Sequence, residues 1–415
     1  MPDDRGPART PDGAGSPRDQ DHARTRIASL ILSMAALAVV WLVATRHGPF
    51  SADSVNDLYV YGSYHQLLHD GLVPYRDFGF EYPPGALLPI WAGGGHDDRF
   101  SVLMLGCALV AQGAAWVMGG WRAGWSMVAL PVVAGALVRT HFDAFPAALA
   151  LVGLALIVAP RFRYAAELGF LVLAAGTMTK LWPGLIAAVA FCWLLGRGER
   201  ATALRSAAAF VAVVLAIGIP FAAGGGFPGQ MIRFHLDRPV QIESTAATVL
   251  EIAGGSRVTG DPIRHDPYKS NGLDGGAAGV VNVLSTLAGA LSALAILWLA
   301  ARRPSRDALV LASLAITLAF VGFGKVLSPQ YLVWLLPLAA VVAGRRHYVA
   351  PALIAAAGLV TQLYFPGHYF DVVFQHAWAI VAVGVRNALL LLALAATARA
   401  LARSPSRAAA SRRSG

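Results

Sequence analysis

The residues best equipped for chemistry lie in one polar stretch, 53–85. It holds the carboxylates Asp57, Asp70, Asp77 and Glu81, the guanidinium of Arg76, two histidines and five tyrosines. A carboxylate such as Asp57 can take the proton from a hydroxyl as its oxygen attacks carbon. The same position suits a plain helix-start aspartate, because Ser54 and Asn56 nearby are capping types. Asp53 is a competing base. Long polar loops held by rigid elements often carry function.

A phosphate at a membrane surface would need cations. The chain has only three lysines, Lys180, Lys269 and Lys325. Lys180 and Lys325 fall at ends of apolar segments, and Arg139 and Arg76 fall at comparable positions. Together these four could clamp a phosphate, or they could simply snorkel toward headgroups. Arg386 lies near the middle of the last apolar segment, where a charge normally faces a partner or a cavity. It could reach a phosphate or pair with a buried carboxylate such as Asp143. Between 224 and 276, His235, Asp237, Arg238, Gln241, Glu243 and Ser244 could bind hydroxyl-rich ligands, or form a solvated loop. The histidines show no metal-ligand spacing, and there is no Walker loop or dinucleotide fingerprint. No metal and no cofactor is expected.

The elements that must position these groups are membrane helices. The chain is 56% hydrophobic and 13% charged, against about 25% charged in a soluble domain. Apolar runs of about 15–22 residues, broken by short polar turns, mark a polytopic helical protein. They lie near 27–45, 100–119, 122–138, 144–159, 164–179, 181–196, 207–223, 277–300, 307–323, 330–344, 348–364 and 377–398. The expected fold is an all-α integral membrane bundle of about twelve spans over 26–398, with a large first loop at 46–99 and a second at 224–276. Residues 1–25 and 399–415 read as disordered tails. Cys107 and Cys192 fall inside apolar runs and read as core residues.

The net charge of +10 does not imply nucleic-acid binding, because the arginines lie at helix ends. Every turn on the side of the N-terminus carries an arginine. The positive-inside rule then puts both termini in the cytoplasm and both long loops outside. Several apolar runs are short for a bilayer core of about 30 Å. The turns 139–143 and 177–180 are therefore expected to lie below the surface, around a cavity opening outward.

Several blocks occur in a fixed order. They are Asp57-x3-Tyr61, Gly71, Pro74-Tyr75-Arg76-Asp77-Phe78 and Glu81-Tyr82-Pro83-Pro84, then Arg139…Asp143 and Thr179-Lys180-Leu181-Trp182-Pro183. Arg238-Pro239-Val240-Gln241-Ile242-Glu243-Ser244 and Lys325-x2-Ser328-Pro329-Gln330-Tyr331 complete the set. This pattern resembles the GT-C superfamily of membrane glycosyltransferases, and most of all glycosyltransferase family 87, the polyprenol-phosphate-mannose-dependent mannosyltransferases. The resemblance implies a hexose donor on a polyprenyl phosphate, a glycolipid or cell-envelope glycan as acceptor, and a catalytic aspartate in the first outer loop, which maps onto Asp57. Arg76, Arg139, Lys180, Lys325 and Arg386 would then hold the donor phosphate. Tyr61, Glu81, Tyr82, Asp143, His235, Arg238, Glu243 and Gln330 would face sugar or acceptor. A transporter or lipid flippase is the rival reading; it favours internal repeats and matched broken helices, and no such symmetry is visible.

Overall fold

The computed structural model describes residues 17–94, 96–254, 257–259, 270–274 and 277–405. The chain ends at 1–16 and 406–415, Lys269 and part of the second loop lie outside the described residues. The chain starts with α1 (Pro17–Arg46), α2 (Leu58–His69) and α3 (Leu87–Gly93), followed by α4 (Asp97–Ser126), α5 (Leu130–Ala134) and α6 (Leu137–Thr140). Next come α7 (Ala144–Val158), α8 (Ala165–Thr177), α9 (Pro183–Arg197), α10 (Arg200–Gly224), α11 (Gly229–Asp237) and α12 (Thr245–Ile252). The last six are α13 (Ala278–Arg302), α14 (Arg306–Phe323), α15 (Leu332–Gly344), α16 (Val349–Tyr364), α17 (Tyr369–Val373) and α18 (Ala377–Arg403). Strands β1 (Val240–Gln241), β2 (Arg257–Thr259) and β3 (Gly272–Asp274) form one small antiparallel sheet in the order β1-β3-β2.

This is a multi-pass helical membrane protein. Among the described residues, six helices are long and apolar enough to cross a bilayer, α1, α10, α13 and α18 included, and five apolar helices are shorter. Two differences from the sequence expectation concern helix ends. The stretches 17–25 and 399–403, read as tails, continue α1 and α18. Pro17 suits the first helical position, and a helix already nucleated extends through polar residues of fair propensity.

The stretch 122–138 is not a plain span. The chain breaks at Gly120 (φ 68°, ψ −160°), a conformation that glycine reaches without the clash of a Cβ. It then returns through the short helices α5 and α6. Arg139 at the end of this return bonds Asp97 at the start of α4, with Nη1–Oδ1 2.6 Å. The two ends of the hairpin therefore meet.

The two long loops lie at the end of the bundle where Arg139 and Asp97 meet. The opposite end carries most helix-end arginines. There Arg303 donates to Ser404 O, Arg197 donates to Pro304 O, and Arg345 bonds Asp307. Shortness sinks the turns at the loop end. At about 1.5 Å per residue, the 15 residues of α7 and 13 of α8 fall short of a 30 Å core. Arg139, Thr140, His141, Phe142, Asp143, Thr179 and Lys180 are accordingly all buried.

Candidate active site

The first loop is fastened to the sunken turns by close backbone approach. Gly85 N donates to Met178 O at 2.6 Å. A Cβ on Gly85 would sit 2.5 Å from that oxygen, so only glycine permits the approach. Phe78 stacks on Tyr64, and Tyr75, Phe80 and Tyr82 pack edge-on or tilted with Tyr64, Phe142, Phe221 and Phe227. These contacts bring Glu81 and Tyr82 against the wall that holds Lys180.

Asp57 occupies the N-cap position of α2 but makes no cap hydrogen bond. Asn56 does that work, its Oδ1 accepting from Leu58 N at 2.9 Å. The bland role proposed for Asp57 is thus filled by its neighbour. Tyr61 Oη donates to Asp57 Oδ2 at 3.0 Å, the one-turn spacing seen in the sequence. His141 Nε2 approaches the same oxygen at 3.6 Å. No lysine or arginine lies within salt-bridge distance of Asp57 among the described residues.

Asp53 is placed differently. Its Oδ2 is 2.6 Å from Arg139 Nη2. Arg139 also holds Asp97 at 2.6 Å and Thr45 O at 3.0 Å. This guanidinium ties α1, the first loop, α4 and α6 together. It does not line the cavity described next.

A cavity of about 470 Å³ opens among both loops and the sunken turns. That volume lies in the usual range for small-ligand sites, about 300–1,000 Å³. Asp57, Glu81, Tyr82, His141, Lys180, His235, Arg238, Gln241, Glu243, Lys325, Gln330 and Tyr331 all line it. Residues from six of the sequence blocks therefore share one space, although they span 57–331.

Its cations differ in kind. Lys180 Nζ lies 2.5 Å from Asp143 Oδ1 and faces the rings of Phe142, Trp334 and Tyr82 at 4.6, 5.3 and 5.6 Å. Asp143 is fully buried and also accepts from Trp334 Nε1. Lys180 is therefore compensated. Arg238 bonds the Ser270 hydroxyl, through Nε at 3.0 Å and through Nη2. Lys325 Nζ donates to Leu236 O at 2.9 Å. Among the described residues neither Arg238 nor Lys325 has a carboxylate within salt-bridge distance. Burial, and then the neighbouring Arg238, hold the Lys325 ammonium below its ordinary range. Two cations that face one cavity, neither ion-paired among the described residues, suit an anionic ligand.

On the acidic side, Tyr64 Oη donates to Glu81 Oε2, and His235 Nε2 meets Glu81 O at 3.0 Å. Burial keeps His235 below the ordinary imidazole range. Gln241 is held from three directions. Its amide N donates to Lys325 O at 3.1 Å, its Nε2 donates to Glu243 at 2.8 Å, and its Oε1 accepts from Leu327 N at 2.8 Å. Burial pushes the Glu243 carboxyl up to about 7, against the opposing pull of Arg386. Gln330 Oε1 accepts from the Ser328 hydroxyl.

Besides Arg139, two more expected phosphate ligands stand outside the cavity. Arg76 is half-exposed and bonds its neighbour Asp77. Arg386, fully buried in α18, donates to Glu243 O at 2.7 Å and Leu327 O at 3.4 Å. It reaches neither the cavity nor Asp143. With Asn387, which donates to Thr248 Oγ1 at 2.8 Å, it anchors the 240–248 segment on the bundle. Sequence reasoning did not single out His141 or Trp334. His141 stands in the sunken turn that was noticed, between Arg139 and Asp143. Trp334 gave no local signal, since its partners Lys180 and Asp143 are remote in sequence.

No family model and no curated protein matches the chain. Among solved structures, ArnT from Cupriavidus metallidurans bound to undecaprenyl phosphate is similar, at 16% identity and a TM-score of 0.46, over 90% of this chain and 77% of that one. The apo state of the same protein gives 14% identity and a TM-score of 0.47 over 90% and 76%. Similarity at this level says nothing of what this chain binds.

Proposed function

We propose that this chain is a membrane glycosyltransferase of GT-C architecture. It transfers a hexose from a polyprenyl-phosphate donor to a glycolipid or cell-envelope glycan. One observation carries the reading: among the described residues Asp57 has no lysine or arginine partner, and it shares a cavity with Arg238 and Lys325, which have no carboxylate within salt-bridge distance there. A base for the incoming hydroxyl and a positive site for a departing phosphate are what an inverting displacement at an anomeric carbon requires. Asp57 accepts the proton of the acceptor hydroxyl. Arg238 and Lys325 stabilise charge as it builds on the leaving phosphate. Lys180, Glu81, Tyr82, His235, Glu243 and Gln330 surround the sugar. Mannose is favoured over other hexoses only by the sequence resemblance.

Sidedness follows from charge. The arginine-rich end of the bundle is cytoplasmic, with both termini, and the cavity faces outward. Comparing the glycolipids and envelope glycans of a deletion strain with those of its parent tests the function. Loss of one mannosylated species, restored by the wild-type gene, is expected. Unchanged glycans with altered lipid or solute distribution across the membrane would favour a transporter instead.

A further inference from the structure

We infer that His141 is the proton relay partner of Asp57; the inference rests on the glycosyltransferase reading above. The hydrogen-bond geometry fixes the tautomer. Thr140 has one hydroxyl hydrogen, and it is donated to Ala136 O at 3.0 Å. Toward His141 Nδ1, 2.9 Å away, Thr140 Oγ1 is therefore the acceptor, so Nδ1 carries a hydrogen. In the neutral imidazole the other nitrogen, Nε2, then bears a lone pair. That nitrogen points at Asp57 Oδ2, 3.6 Å away. With Asp57 ionised two lone pairs face each other and the contact is long; it can close to a hydrogen bond once the carboxyl takes a proton. His141 is 3% exposed, yet it lines the cavity. One ring nitrogen is held by Thr140 Oγ1, and the other faces Asp57.

The step balances. The acceptor oxygen forms its bond to the anomeric carbon, and the bond from that carbon to the phosphate oxygen breaks. The electron pair leaves with the polyprenyl phosphate. The hydroxyl proton passes to the Asp57 carboxylate. Rotation about Cβ–Cγ then presents it to His141 Nε2, which becomes an imidazolium beside the regenerated carboxylate. Transfer to His141 takes the proton off Asp57, so it is not handed back to the product. The imidazolium releases it to water once product has left. Tyr61, the other donor to Oδ2, has its hydrogen committed there and cannot replace His141 as a proton acceptor.

The test uses full-length protein in nanodiscs with labelled polyprenyl-phosphate-mannose and a membrane glycolipid extract. Wild type, Asp57→Asn, His141→Ala and His141→Gln are compared for kcat, donor KM and rescue by added imidazole. Both His141 variants are expected to lose about tenfold or more in kcat, within the range for proton-transfer groups, with donor KM unchanged. Imidazole should restore part of the loss in His141→Ala and none in His141→Gln, whose side chain still fills the site. Activity within twofold of wild type in either variant, or a loss in His141→Ala that imidazole leaves untouched, would overturn the relay. If His141→Ala does not fold, the kcat of His141→Gln decides on the same threshold. Failure of the underlying reading looks different: wild type transfers nothing from the lipid donor, or Asp57→Asn stays active, and the relay falls with it.

Discussion

Lys180 Nζ lies 2.5 Å from Asp143 Oδ1, with both groups buried in the wall of the cavity. The pair has a structural consequence. Asp143 Oδ2 already lacks a hydrogen-bond partner, so its charge depends on Lys180 and Trp334. Lys180→Met strands that charge. Breaking one side of a buried pair typically destabilises by about 3–5 kcal/mol. The variant should show a lower Tm and a poorer yield of monodisperse protein, and the double variant Lys180→Met/Asp143→Asn should recover part of both. A Lys180→Met protein with wild-type Tm and a raised donor KM would instead make Lys180 a phosphate ligand.

Among the described residues, Arg238 and Lys325 line the cavity with no carboxylate within salt-bridge distance. Each charge-assisted hydrogen bond contributes about 1.5–3 kcal/mol, or roughly tenfold or more in affinity. Arg238→Ala and Lys325→Ala should each raise the KM for the lipid-phosphate donor by about tenfold, at unchanged Tm. Arg76→Ala, whose guanidinium is spent on Asp77, should change it less than twofold. Steady-state kinetics with varied donor decides. The reverse ordering would place the phosphate near the first loop.

Glu251 on α12 is buried, and neither carboxylate oxygen has a hydrogen bond. Burial, and then Glu243, push its carboxyl up to about 8, while Glu243 itself stands at about 7. Both folded values exceed the unfolded value of about 4.3. The folded chain therefore holds these protons more tightly. That stability is fully present below the unfolded value and is lost as pH rises through about 7 and 8. Tm measured by tryptophan fluorescence should fall between pH 5 and about pH 8 and then level off. Glu251→Gln should flatten the curve and raise Tm at its alkaline end. A wild-type Tm that climbs over this window would refute the burial argument.

The sequence made local relations legible and left remote ones hidden. Asp57 and Tyr61 are one helical turn apart, and their hydrogen bond follows from that spacing. The short apolar runs flanking 139–143 and 177–180 announced turns at depth, because helix length is countable. The partner of Arg139 was not legible. Asp53, 86 residues away, meets it only because the chain reverses at Gly120 and returns. Arg386 was expected to reach a phosphate or a carboxylate such as Asp143, yet its bonds go to backbone carbonyls of Glu243 and Leu327. Carbonyls have no sequence signature. The same holds for Arg238, which read as a sugar ligand until its position beside Lys325 suggested a phosphate.

The central claim is that Asp57 is the base of a transfer from a lipid-linked donor. It is tested most directly by purified protein in nanodiscs, supplied with a glycolipid extract and either labelled polyprenyl-phosphate-mannose or labelled GDP-mannose alone. Asp57→Asn keeps the size and the Tyr61 contact but cannot take a proton. Wild type should transfer label from the lipid donor only, and Asp57→Asn should do so about 10²–10⁴-fold more slowly while keeping wild-type donor affinity. Transfer from GDP-mannose without a lipid intermediate, or a near-normal rate in Asp57→Asn, would contradict the account.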